Sequence, residues 1–108
     1  MKNYWLLKVE KEQSNKFNEE LLHELSLKYV SQPNKRGGFV DDLADLLYQL
    51  SDLIIDYTAP KCLARMDRDD VVQELVFAAW LKLPRFDPNQ GKAFNFFTTI
   101  MLGHLRQL

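Results

Sequence analysis

The chain has 108 residues, 46% of them apolar and 27% charged, with a net charge of −1. That length makes one domain, 1–108, with a core of modest size. The single cysteine, Cys62, excludes an internal disulfide framework and fits a reducing compartment. His23 and His104 stand too far apart for a metal site, Trp5-Leu6-Leu7 is too short for a signal peptide, and no run spans a membrane.

Residues 1–15 read as a tail or short ordered segment. Tyr4 to Val9 is compatible with a strand, a helical turn or neither. A first helix is expected over 16–30, capped by Asn15 or Ser14, with Phe17, Leu21, Leu25 and Tyr29 as its apolar stripe. Ser31 to Gly38 is a loop, because Pro33 and paired glycines end a helix. A second helix over 40–57 follows from Leu43, Leu46, Leu47, Leu50, Leu53, Ile54 and Tyr57. Asp41, Asp42 and Asp45 favour its N-terminal end through the helix dipole, and Pro60 stops it. Residues 61–66 are a linker or short helix. A third helix is expected from Asp67, as N-cap, to Leu83, with Val72, Leu75, Val76, Ala79, Trp80 and Leu83 inward. Pro84 and the Asp87-Pro88 step break it. The fourth helix starts between Gly91 and Asn95 and continues to Leu108. No strand pattern appears beyond the first ten residues, so the chain reads as an all-α bundle of about four helices. The first pair occupies 16–60 and the second half 61–108.

Charge is unevenly spread. Residues 1–60 hold seven basic and ten acidic side chains, whereas residues 88–108 hold Lys92 and Arg106 and no acid. Phosphate neutralisation supplies most non-specific affinity for nucleic acid, so this chain should bind DNA only weakly alone. On the third helix Asp70, Gln73 and Glu74 fall at i, i+3 and i+4, and Phe77 and Leu81 continue that face. Such a face suits a partner helix; it also suits a solvated surface whose two apolar residues pack on a neighbour. Arg85 to Gly91 makes a good turn and lacks the Gly-Lys-Ser/Thr of a phosphate loop. Beyond it, Phe94, Phe97, Met101, Leu105 and Leu108 share one stripe, and Phe96 projects away beside Thr99 and Gly103. An exposed aromatic beside hydroxyls can stack on an unpaired base, worth ~1–3 kcal/mol. Burying a Phe in a core is worth about the same, roughly 1.5–3 kcal/mol, so core packing remains the alternative. Cys62 reads as a small buried residue. Both histidines read as surface or partly buried, without visible partners. No carboxylate pair, Ser/His/Asp set or metal cluster supports catalysis, and no cofactor is implied.

Taken in order, Asp70-Val71-Val72-Gln73-Glu74, Trp80, Arg85-Phe86-Asp87-Pro88, Gly91 and Phe94-Asn95-Phe96-Phe97-Thr98-Thr99 resemble region 2 of bacterial sigma factors. These are the promoter-specificity subunits of RNA polymerase. The family pattern is an Asp-x-x-Gln-Glu helix, then Arg-Phe-Asp-Pro, a Gly, and Phe-Ser-Thr-Tyr-Ala before paired tryptophans. Ile100 and Met101 stand where the tryptophans are usual, Phe96 and Phe97 replace Thr-Tyr, and Gly103 replaces a basic residue. The shortened, divergent form looks most like the late-transcription sigma factors of T4-like phages; Asn18-Glu19-Glu20-Leu21-Leu22 and the leucine-rich second helix sit at similar offsets.

The resemblance implies a non-enzymatic role in starting transcription, in the cytoplasm of a bacterial host. It implies that Asp70, Gln73, Glu74 and Phe77 dock on the clamp coiled-coil of the largest polymerase subunit. It implies that Phe94, Phe96, Phe97, Thr98 and Thr99 face the displaced non-template strand of an AT-rich −10-like element, with Lys92 and Arg106 on phosphates. A phage coactivator is a further candidate partner. Two other classes stay open: a stand-alone helix-turn-helix regulator binding duplex DNA without polymerase, and a helical adaptor with no nucleic-acid role.

Overall fold

The computed structural model describes residues 17–32 and 37–108. The readings made for residues 1–15, including caps at Ser14 and Asn15, and for the middle of the 31–38 loop lie outside the described residues. Within them stand four α-helices, α1 (Glu19–Ser31), α2 (Gly38–Thr58), α3 (Arg68–Lys82) and α4 (Ala93–Leu105), with short 3₁₀ turns at Lys61–Ala64, Leu83–Arg85 and Pro88–Gln90. No strand occurs among the described residues, and the all-α architecture is the expected one.

α1 begins later than its periodicity suggests. The Asn18 side chain accepts from the Leu21 N–H at 2.9 Å, which satisfies one of the free donors of the first turn. Glu19 and Glu20 occupy that turn, where the dipole favours them. Phe17, just before the cap, turns into the core, and its ring lies 6.0 Å from that of Phe94. The deepest line of α1 is Leu22 and Ser26, while Leu21, Leu25 and Tyr29 are partly buried. A four-residue repeat rotates about 40° per step on a helix of 3.6 residues per turn, so the expected stripe drifts off the buried face.

α2 and α3 supply most of the core. Leu43, Leu46, Leu47, Leu50, Ser51, Ile54 and Ile55 are buried on α2, and Val71, Val72, Leu75, Val76 and Ala79 on α3. Trp80, expected inside, is only partly buried, with its ring 5.5 Å from Tyr29. Buried hydroxyls close on their own helices: Ser51 Oγ donates to the Leu47 carbonyl at 2.9 Å and Ser26 Oγ to the Leu22 carbonyl at 2.7 Å. A hydroxyl satisfied by the i−4 carbonyl leaves no unpaired polar group in the interior. Ser51 Oγ is also 3.6 Å from Met101 Sδ, where α2 meets α4. α3 packs against α2 and α4, and α1 against α2, α4 and the Leu83–Arg85 turn.

The linkers are set by backbone geometry. Asp67 stands at the N-cap of α3 as expected, but its side chain makes no cap hydrogen bond. Instead Arg68 reaches back to α2, donating to Asp56 at 2.8 Å and to Asp52 at 3.2 Å. The Asp56 hydrogen bond, with help from Asp52, raises the Arg68 pKa above its ordinary value. α4 ends at Leu105 rather than continuing to Leu108; a turn follows. Ala59 ends α2 in the left-handed region, at φ 42° and ψ 61°. Gly91 precedes α4 at φ 143° and ψ −177°, a region open essentially to glycine alone.

These two positions predict opposite signs for paired substitutions. Ala59→Gly relieves a Cβ penalty of about 1–2 kcal/mol and returns part of it through a freer unfolded chain, for a net gain of about 0.5–1 kcal/mol in urea unfolding. A Cβ at Gly91 meets nothing within 4 Å, so Gly91→Ala carries a purely torsional cost of about 1–3 kcal/mol. Equal stability of the two variants would contradict this geometry.

Candidate functional site

The outward face of α3 borders an open groove. Asp70, Gln73, Glu74, Val76, Phe77 and Trp80 line it from α3, with Tyr48 from α2 and Met66 from the linker, around a volume of about 620 Å³. The four residues selected by spacing as a docking face therefore come together on one groove. Phe77 is 62% and Leu81 64% exposed, so these apolar residues do not pack on a neighbouring helix. Asp41 and Asp45 lie on the same helical face of α2 as Tyr48, within about 60° of arc, and both are exposed. The surroundings of the groove are thus aromatic and acidic together. An exposed apolar surface rimmed by charge is characteristic of an interaction site.

α4 corrects the aromatic reading. Phe94 is 3% exposed and Phe97 and Thr98 are fully buried, so none of the three faces nucleic acid. The reason is local. The expected stripe of Phe94, Phe97 and Met101 does turn inward, and Ala93 and Thr98 turn with it. Thr98 Oγ1 donates to the Phe94 carbonyl at 2.8 Å and to that of Asn95 at 3.2 Å, so its hydroxyl needs no outside partner. Phe96 is partly buried: its ring lies 5.2 Å from Phe86 and 5.1 Å from Phe97. Phe86 itself is core, 5% exposed, so the Arg85–Gly91 turn also anchors α4.

What α4 presents outward is polar. Lys92, Asn95, Thr99 and Arg106 are exposed, and at 100° per residue they fall within about 60° of arc. Gly103 lies on this stripe, and a Cβ there meets nothing within 4 Å. Phe96 borders it. Three of the expected contacts, Lys92, Thr99 and Arg106, are therefore together. Asn95 joins them, and its helical spacing from Lys92 and Thr99 was the available signal. The stripe carries two cations and no acid.

Neither histidine lacks a partner. The Ala93 N–H donates to His23 Nδ1 at 3.0 Å, so an imidazole from α1 accepts a free donor in the first turn of α4. That bond requires the neutral ring, protonated at Nε2. The ring also stands edge-on to Phe86 at 5.5 Å. His104 Nε2 lies 2.8 Å from Glu74 Oε1, linking α4 to the groove. These pairs span 70 and 30 residues, and no local pattern announces them. Cys62 is buried, as expected. No helix among the described residues is long and apolar enough to cross a membrane.

The family model described as Sigma-70 region 2 matches residues 53–107. The matched span holds α3, both turns after it and α4. No curated protein and no solved structure gives a match.

The burial pattern predicts which aromatic carries stability. Phe97→Ala should cost about 3–5 kcal/mol in urea unfolding, while Thr99→Ala stays within about 0.5 kcal/mol of the parent. A Phe97→Ala variant as stable as the parent would show that this ring is not core.

Proposed function

This chain belongs to the sigma-70 region 2 family, and on that premise we propose that its α3 groove docks core RNA polymerase while the exposed stripe of α4 faces promoter DNA. The family gives the chain a sigma-like role in transcription initiation. The polymerase element we assign to the groove is the clamp coiled-coil of the largest subunit. The observation that carries this reading is the gathering of Asp70, Gln73, Glu74 and Phe77 on one open, aromatic-lined groove. A helix partner with basic and apolar residues fits it in charge and shape, the helix-in-groove mode of recognition. Phe77 and Leu81 supply exposed apolar anchors, and the acids reward a cationic partner with register and on-rate.

On the DNA side the proposed contacts are Lys92, Thr99 and Arg106, with Asn95 added and the partly exposed ring of Phe96 at the margin. The target we propose is the non-template strand of a melted, AT-rich −10-like element. Two cations give a small electrostatic contribution, which supports promoter binding only in the polymerase complex. There the polymerase holds the stripe against strands that are already separating. Base flipping costs a few kcal/mol. With Phe94 and Phe97 inside the core, the offset comes from contacts along the stripe and at Phe96, rather than from a pocket of three phenylalanines. Ile100 and Met101 in place of the tryptophan pair, and Gly103 in place of a basic residue, support a divergent member near the late sigma factors of T4-like phages. A phage coactivator then supplies part of the missing affinity, in the bacterial host where the polymerase acts.

Two tests follow. The double variant Asp70→Lys/Phe77→Ala changes only exposed side chains, so its melting should stay near the parent. Its affinity for core polymerase should fall about tenfold or more; retained affinity would remove the docking role. Gly103→Arg restores a cation to the stripe in open space and should stabilise α4 by about 0.8 kcal/mol. In the polymerase complex it should tighten promoter binding and steepen the slope of log Kobs against log salt by about 0.7. An unchanged slope would take this face of α4 away from the DNA.

A further inference from the structure

We propose that His104 is a positioning residue for the docking face, holding Glu74 in one orientation at the groove before the polymerase arrives; this rests on the groove being the polymerase contact. The Glu74 side chain is 46% exposed and that of His104 27%. A bridge this open to water contributes little to folding. Its effect falls on the freedom of one side chain. Unrestrained, a glutamate on an exposed helix face samples several rotamers, and ordering it on association weakens binding. The His104 ring, carried on a different helix, removes that freedom in advance. Nε2–H donation to Oε1 at 2.8 Å operates with the imidazole neutral or charged. Glu74 keeps a second carboxylate oxygen, which can accept from a cationic partner. Asp70, one turn earlier on the same groove, has no such restraint among the described residues, so the two acids are not equivalent. Glu74 is the preset acid and Asp70 the adaptable one.

The inference predicts coupling between His104 and Glu74 that a purely structural histidine would not show. The test is titration of the full chain with core polymerase for the parent, His104→Phe, His104→Gln, Glu74→Ala, Glu74→Ala/His104→Phe and Asp70→Lys/Phe77→Ala, with thermal unfolding of each. His104→Phe fills the space without a donor and should weaken binding about 2–10-fold at nearly unchanged melting. His104→Gln keeps an N–H donor and should restore affinity to within about twofold. In the Glu74→Ala background, His104→Phe should have no further effect. If Asp70→Lys/Phe77→Ala loses binding but His104→Phe does not, the positioning role is overturned and docking stands. An equal effect of His104→Phe in both backgrounds overturns the positioning role as well. Unweakened binding by Asp70→Lys/Phe77→Ala overturns the docking reading and this inference with it.

Discussion

The rotational setting of α4 decides what this protein can offer to its partners. Phe94, Phe97 and Met101 are inserted among α1, α2 and α3, and burial of each large side chain is worth roughly 1.5–3 kcal/mol. Once that face is inward, helical geometry leaves Lys92, Asn95, Thr99 and Arg106 outward. The other contacts of α4 agree with the same setting. Phe86 packs on Phe96, His23 takes the Ala93 N–H, and Thr98 folds its hydroxyl back on its own helix. A rotation of α4 by one residue would expose phenylalanine, break the Ala93–His23 hydrogen bond and bury a cation. Local and tertiary preferences point the same way, as expected of a sequence that specifies one structure.

The same setting separates two chemically different surfaces. One is acidic and aromatic, built on α2 and α3; the other is polar with two cations and no acid, on α4. Acid near the groove suits a cationic protein helix and discourages nucleic acid from binding there. The weak positive character of α4 gives little affinity for DNA unless something else holds the duplex or the separated strands nearby. Under the proposed function this charge distribution implies a division of labour: affinity resides in the protein contact, and the nucleic-acid contact becomes effective at the high local concentration that docking creates.

Much of the fold, and the grouping of the α3 face, is legible in the sequence. The leucine spacing of α2 and the Val-Leu-Ala spacing of α3 marked buried faces, and Asp70, Gln73, Glu74 and Phe77 were placed on one face by counting turns. The errors have physical sources. Phe17 looks like the first apolar residue of a helix, yet it is the residue before the cap, where a hydrophobe packs back on the first turn. Thr98, expected at the DNA strand, is buried instead because its hydroxyl is satisfied by its own helix, as are those of Ser26 and Ser51. Phe94 and Phe97 carry the same side chain as an exposed stacking platform; only the three-dimensional surroundings separate a core ring from a base-binding one. His23 and His104 meet partners far away in the chain. Phe86 sits in a segment that reads as a plain connection, and its ring meets Phe96 beyond the turn and His23 far before it.

Photo-crosslinking within the initiation complex tests the central claim most directly. A crosslinking amino acid placed at Phe77, on the groove, should attach to the largest polymerase subunit; placed at Thr99, on the outward stripe of α4, it should attach to the non-template strand of the promoter. Attachment of the Phe77 probe to DNA, or of neither probe to its assigned partner in a complex that still transcribes, would contradict the arrangement of two faces described here.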